Sequence, residues 1–100
     1  MAVPTYPLSL VQAQVKSLGA KAFTATALND GQGSLGLTTQ EMIDLILSRS
    51  DTICYKTMPS VQVSGAMQDV YHWPTKYSQI AYVKFCLHQN SKVVVSFKEK

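Results

Sequence analysis

The sequence predicts an α+β fold, with helices from the first half of the chain packed on an antiparallel β-sheet built by the second. Two observations carry that expectation. Apolar residues recur at helical spacing through the first half and at a period of two beyond Asp51. The segments of period two are joined by short connections rich in turn-forming residues, which favours antiparallel neighbours.

The first helix is marked by Leu8, Val11, Val15 and Leu18, and Gly19 stands where its C-terminal glycine belongs. After an extended link at Phe23 and Thr24, the segment 25–28 reads as a brief helical turn that breaks at Asn29-Asp30-Gly31. Glycines at 31, 33 and 36 keep that region loose in this reading. Thr38-Thr39-Gln40-Glu41 is a capping box, and Met42, Leu45, Ile46 and Arg49 continue along one side of a helix over about 39–48. Strands are expected at 52–58, 61–71, 79–88 and 92–98. Pro59-Ser60, Trp73-Pro74-Thr75 and Gln89-Asn90-Ser91 supply the turns between them.

A length of 100 residues fits one domain spanning 1–100, and 46% apolar against 15% charged residues describes a globular chain rather than a disordered one. The start, MAVPTYPL, lacks the basic residues and continuous apolar core of a signal peptide. No apolar run approaches the ~20 residues of a membrane span, so no membrane partner is expected and the cytoplasm is the expected location. Cys54 and Cys86 are the only cysteines and no CxxC occurs. They read as reduced, partly buried thiols, with a disulfide open to them only on neighbouring strands.

Charge is divided unevenly. In the first half Lys16, Lys21 and Arg49 balance Asp30, Glu41 and Asp44, so the formal +3 lies wholly beyond residue 50. A basic half is compatible with a polyanionic partner.

Strand periodicity sorts the charges onto faces. In the last strand Val93, Val95 and Phe97 point one way while Lys92, Val94, Ser96 and Lys98 point the other, which serves either solubility or the grip of an anion. Ile80, Tyr82, Lys84, Cys86 and His88 share a face, as do Thr52, Cys54, Lys56 and Met58, and Ala66, Gln68, Val70 and His72. Lys56, Gln68, Tyr82 and Lys98 are thereby candidates for one surface. Cleavage of RNA by its own 2′-hydroxyl needs a proton acceptor, a proton donor and positive charge on a phosphorane-like transition state. Lysine and tyrosine supply all three without metal or other cofactor. The bland alternative is a solvated lysine face. Lys84, Tyr71 and His72 are further candidates for RNA contact, the rings as stacking surfaces for an unpaired base. Trp73 beside Pro74 is equally suited to plug the sheet end. His72 and His88 lack metal-ligand spacing, and Gly31-Gln32-Gly33 lacks the lysine of a phosphate-binding loop, so no metal site is expected.

Four blocks resemble a known family. Tyr55-Lys56-Thr57-Met58, Gln68-Asp69-Val70-Tyr71, the Tyr82-x-Lys84 strand and the closing Val95-Ser96-Phe97-Lys98-Glu99-Lys100 are similar in order and spacing to the motility quorum-sensing regulator (MqsR) toxins of bacterial toxin–antitoxin systems. The resemblance covers essentially the whole chain and is strongest beyond Asp51. It implies a RelE-like α+β fold and a metal-independent endoribonuclease, an mRNA interferase, that cuts single-stranded messenger RNA at short GC-containing sites. The implied products carry 2′,3′-cyclic phosphate and 5′-hydroxyl ends, and the implied result is inhibited translation and growth arrest. The family's active residues fall on Lys56, Gln68, Tyr82 and Lys98. A cognate antitoxin is the implied protein partner, with operator DNA reached through the toxin–antitoxin complex. One departure stands out: the family continues after its Gln-Asp-Val-Tyr block with Arg-Pro, whereas this chain has His72-Trp73-Pro74. The alternative to an enzyme is a non-catalytic nucleic-acid-binding or regulatory module that holds phosphates through the same lysines and acts with a protein partner.

Overall fold

The computed structural model describes residues 3–49, 53–60, 65–87 and 93–99. Along the chain run α1 (Leu8–Leu18), a 3₁₀ turn (Gly19–Ala22), α2 (Ala25–Gly33), α3 (Thr39–Leu47), β1 (Lys56–Pro59), β2 (Met67–Pro74), β3 (Ile80–Leu87) and β4 (Val93–Glu99). The four strands form one antiparallel sheet in the order β1-β2-β3-β4. The helices precede the sheet and pack on it, which is the α+β arrangement that the periodicity predicts.

Each helix has a local cause. α1 buries Val11 and Val15 and ends at Gly19, whose φ of +60° lies in the left-handed region that glycine enters without strain. In α3 the Thr38 hydroxyl accepts from the Glu41 N–H at 3.1 Å while the Glu41 carboxylate accepts from the Thr38 N–H at 2.8 Å, so the capping box is complete. α2 corrects the sequence reading: it is a full helix of nine residues that passes through Asn29-Asp30-Gly31 instead of breaking there. Its cap is Thr24, which accepts from the Ala27 N–H at 3.0 Å. Gly31 is buried, and a Cβ on it would run into Met42 Sδ on α3. Glycine leaves room there for the Met42 side chain, in a helix where its propensity is otherwise low.

The strands also differ at their ends. β1 begins at Lys56, later than predicted, and residues 51–52 lie outside the described ones. β2 runs on through Trp73 to Pro74, where the sequence suggested a turn, and the reversal falls at 75–79 with the Thr75 N–H donating to the Gln79 carbonyl at 2.7 Å. Proline is tolerated there because it ends the strand. The first part of the predicted second strand (61–64), His88, Lys92 and the Gln89-Asn90-Ser91 turn fall outside the described residues.

One face of the sheet forms the core. Tyr71, Trp73, Ala81, Val83, Phe85, Val93, Val95 and Phe97 pack with Val11, Val15, Ala27, Met42 and Ile46 of the helices. Full burial of each larger side chain contributes roughly 1.5–3 kcal/mol. Rings interlock across it, Phe23 with Phe97 at 5.9 Å and Trp73 with Phe85 at 5.8 Å between centroids. Cross-links then fix the helical layer in register. Val93 N–H donates to Gln14 Oε1 of α1 at 2.7 Å, and Thr24 N–H donates to the Val95 carbonyl at 3.1 Å, laying the start of α2 along the β4 edge. The chain before α1 is tied down as well. Thr5 N–H and Tyr6 N–H donate to the two carboxylate oxygens of Asp69, each at 2.8 Å, and the Tyr6 hydroxyl donates to the Met67 carbonyl at 2.6 Å. Cys54 and Cys86 are both buried free thiols.

Candidate functional site

The other face of the sheet is set by strand register. Residues paired across antiparallel strands share a face, so three rows can be read off directly. Met58, Gln68, Cys86 and Val94 form the first, Lys56, Val70, Lys84 and Ser96 the second, and His72, Tyr82 and Lys98 the third. Lys56, Gln68, Tyr82 and Lys98 therefore all lie on this outer face, one from each strand.

Their environments differ. Lys56 and Lys98 are exposed, Tyr82 and Lys84 are half-buried, and Gln68 is buried. Lys98 Nζ stands 5.1 Å from the centroid of the Tyr82 ring and Lys84 Nζ 5.8 Å from it, so the ring sits between two ammonium groups. Among the described residues the one ion pair is Glu41 with Lys76, and Lys56, Lys84 and Lys98 have no carboxylate within salt-bridge distance. Burial first, then Lys98 and Lys56, hold the Lys84 amine below the ordinary lysine value. Gln68 has its Nε2 buried without a hydrogen-bond partner among the described residues. It is set into the face rather than standing on it.

Aromatic rings continue the third row. Tyr55, which precedes β1, stacks on His72 with centroids 4.0 Å apart and planes at 28°, and His72 lies 5.1 Å from Tyr82. Tyr55 is half exposed, at 52%, and presents a ring to solvent beside Lys56. The sequence reading passed over it, because Tyr55 reads as a plain strand residue until its stacking partner is known.

Tyr71 is not part of this surface. It alternates onto the core face, is 2% exposed, and packs against Trp73 at 4.9 Å and Phe85 at 5.7 Å. Desolvation pushes its phenol up to about 12, as expected of a ring that packs rather than reacts. Trp73 is likewise buried, with the Arg49 guanidinium 5.9 Å from its ring centroid. Of the adjacent rings Tyr71, His72 and Trp73, only His72 reaches the outer face.

Two other places hold chemical groups. A cavity of about 460 Å³ between α3 and the β2–β3 turn is lined by Glu41, Asp44, Arg49, Thr75 and Lys76. There the Glu41 carboxylate pairs with Lys76 and accepts from the Tyr77 hydroxyl at 2.9 Å, so the charges of Glu41 and Lys76 engage each other. The Cys54 thiol is pushed up by burial and by Asp69, which keeps it protonated at neutral pH and a poor nucleophile. Among the described residues no three His, Cys, Asp or Glu side chains converge as metal ligands, and no helix is long and apolar enough to cross a membrane.

Comparison with known proteins adds what geometry cannot. The comparison with individual curated proteins returned no match. A family model described as the motility quorum-sensing regulator, toxin of MqsA, matches residues 3–99 and so takes in every strand of the cationic face. The chain belongs to that family of toxins, the toxic partner of a toxin–antitoxin pair whose protein counterpart is an antitoxin.

Proposed function

We propose that this toxin is a metal-independent endoribonuclease that cuts single-stranded messenger RNA by attack of the 2′-hydroxyl, leaving 2′,3′-cyclic phosphate and 5′-hydroxyl ends. The observation that carries the reading is the placement of Lys56, Lys84 and Lys98 on one sheet face, the last two beside Tyr82, with no salt-bridge partner for any of them among the described residues. Phosphate approaching that face meets preorganised positive charge, which stabilises a phosphorane-like transition state more than the ground state. Lys98 and Lys56 are assigned to phosphate binding and to that developing charge, Tyr82 to proton transfer, and Gln68 to positioning. Lys84 and His72 hold the RNA, with the Tyr55–His72 stack offering a ring to an unpaired base.

A strand of RNA fits an open face better than a deep pocket, since the backbone must enter and leave. The preference for short GC-containing sites, the arrest of translation and growth, and the contact with operator DNA through the antitoxin complex follow from the family resemblance and form part of the proposal. So does the cytoplasmic location, where messenger RNA is met.

Incubation with a defined single-stranded messenger RNA in EDTA, with mapping of product ends, tests the reading. Sequence-dependent cuts with cyclic-phosphate ends, lost in Lys98→Ala, are expected. RNA that is bound and left intact would replace the enzyme with a binding module.

A further inference from the structure

Lys84 holds a position that none of the four matched residues has. Tyr82 precedes it by two residues on β3, so both point the same way. Its partner on β4 is Ser96, which places Lys98 on the diagonal, and its partner on β2 is Val70, which places Gln68 on the opposite diagonal and Lys56 in the same row beyond Val70. With strands ~4.8 Å apart, Lys56 stands about 10 Å away along that row. The four residues thus surround Lys84.

It is also the amine of the three that is drawn out of solvent. Lys56 and Lys98 are exposed, whereas Lys84 is half-buried and lines a cleft of about 130 Å³ where α2 meets the β4 edge, together with Ser96, Lys98, Thr26 and Asp30. Around it lie Lys56 from β1, His72 from β2, Tyr82 on its own strand, Lys98 from β4 and Asp30 from α2. Burial is the leading influence on its titration and the two lysines follow, all favouring the neutral amine. An exposed ammonium binds phosphate well and accepts a proton poorly. A crowded, half-buried amine sheds its proton more readily, so it is the better placed of the three to accept one.

We infer that the Lys84 amine is the base that takes the 2′-hydroxyl proton in the cleavage, an assignment that rests on the ribonuclease reading above. The proton passes from the 2′-hydroxyl to the neutral amine as the 2′-oxygen bonds to phosphorus. The bond from phosphorus to the 5′-oxygen breaks, and that oxygen takes the proton of the Tyr82 hydroxyl. Solvent then carries a proton from the Lys84 ammonium to the Tyr82 oxygen. The products are a cyclic phosphate and a 5′-hydroxyl, and the protein is unchanged.

The test compares the parental protein with Lys84→Arg, which keeps the positive charge but cannot shed a proton. Lys84→Arg should bind a 2′-deoxy oligonucleotide within about two-fold of the parent, which also certifies its fold, because phosphate contacts depend on charge. Its cleavage rate should fall by about 10²–10⁴-fold and lose the parental rise with pH below the ordinary lysine range. A substrate with sulfur in place of the scissile 5′-oxygen has a leaving group that needs no acid, and the defect should persist on it. Lys84→Arg that cuts at the parental rate with the parental pH profile overturns the assignment. So does a defect that the sulfur substrate abolishes, which would make Lys84 the acid. A parental protein that binds RNA and cuts none of it removes the ribonuclease reading itself, an outcome distinct from both.

Discussion

Replacing Asp69 with asparagine isolates the bond pair that holds the chain before α1 against the sheet. The carboxylate is 1% exposed and accepts Thr5 N–H on one oxygen and Tyr6 N–H on the other, both at 2.8 Å. Asparagine keeps one oxygen and presents an NH₂ to the second N–H, so one bond is lost and two donors face each other. A hydrogen bond to a charged group contributes about 1.5–3 kcal/mol, and an unpaired buried donor adds about 1–3 kcal/mol. The asparagine recovers part of this, since burying a neutral amide costs less than burying a carboxylate. The net expectation is a loss of about 2–3 kcal/mol, or a fall in melting temperature of roughly 10–20 °C for a domain of this size. Circular dichroism on heating measures it, and amide hydrogen exchange locates it. The Thr5 and Tyr6 amides should both be protected in the parent, and one of them should lose its protection in Asp69→Asn. An unchanged melting temperature, or protection of those two amides in the variant, would refute the reasoning.

Four further outcomes follow from the same structure. Glu41 is held well below the usual carboxylate range, to about 2, first by Lys76 and then by the Thr38 N–H and the Tyr77 hydroxyl. Its stabilising contribution is present above the unfolded value near 4.5 and lost as pH falls toward 2, so the stability difference between parent and Glu41→Gln should vanish across that acid window in urea titrations. Tyr71 is raised to about 12 by burial, so the fold should lose stability as pH climbs from 10 toward 12, and absorbance titration should show a late-ionising phenol that Tyr71→Phe removes. Thr38→Ala removes the cap of α3 and should cost about 0.5–2 kcal/mol in denaturant unfolding. Lys56→Ala should lower the salt dependence of RNA affinity by about 0.7 in log–log slope, the value for one phosphate contact on a single strand.

The sequence made some of this legible and hid the rest for physical reasons. α1 and α3 carry their own signals, a spaced apolar stripe with a closing glycine and a reciprocal cap, and both appear close to where those signals put them. α2 was misread because Asn29-Asp30-Gly31 is a strong local breaker, whereas the Thr24 cap and the burial of Ala27 and Gly31 carry the helix through it. The same limit applies to β2, where Pro74 suggests a turn but the burial of Tyr71 and Trp73 draws the strand onward. Faces were legible because strand alternation is strict, which is how Lys56, Gln68, Tyr82 and Lys98 could be grouped before any pairing was known. Register was not legible. The central place of Lys84, the Tyr55–His72 stack and the anchoring role of Asp69 all depend on which residue stands opposite which.

On the proposed mechanism, that dependence on register couples activity to completed folding. β4 pairs with β3 so that Lys98 faces Tyr82, and a slip of one residue would turn Lys98 toward the core and carry Phe97 into water. Because β4 follows the other three strands along the chain, the full set of charges is assembled only when it docks. A nascent or partly unfolded chain would be harmless to RNA on the proposed mechanism, and the hydrophobic cost of exposing Phe97 is what holds the strand in the one register that presents Lys98.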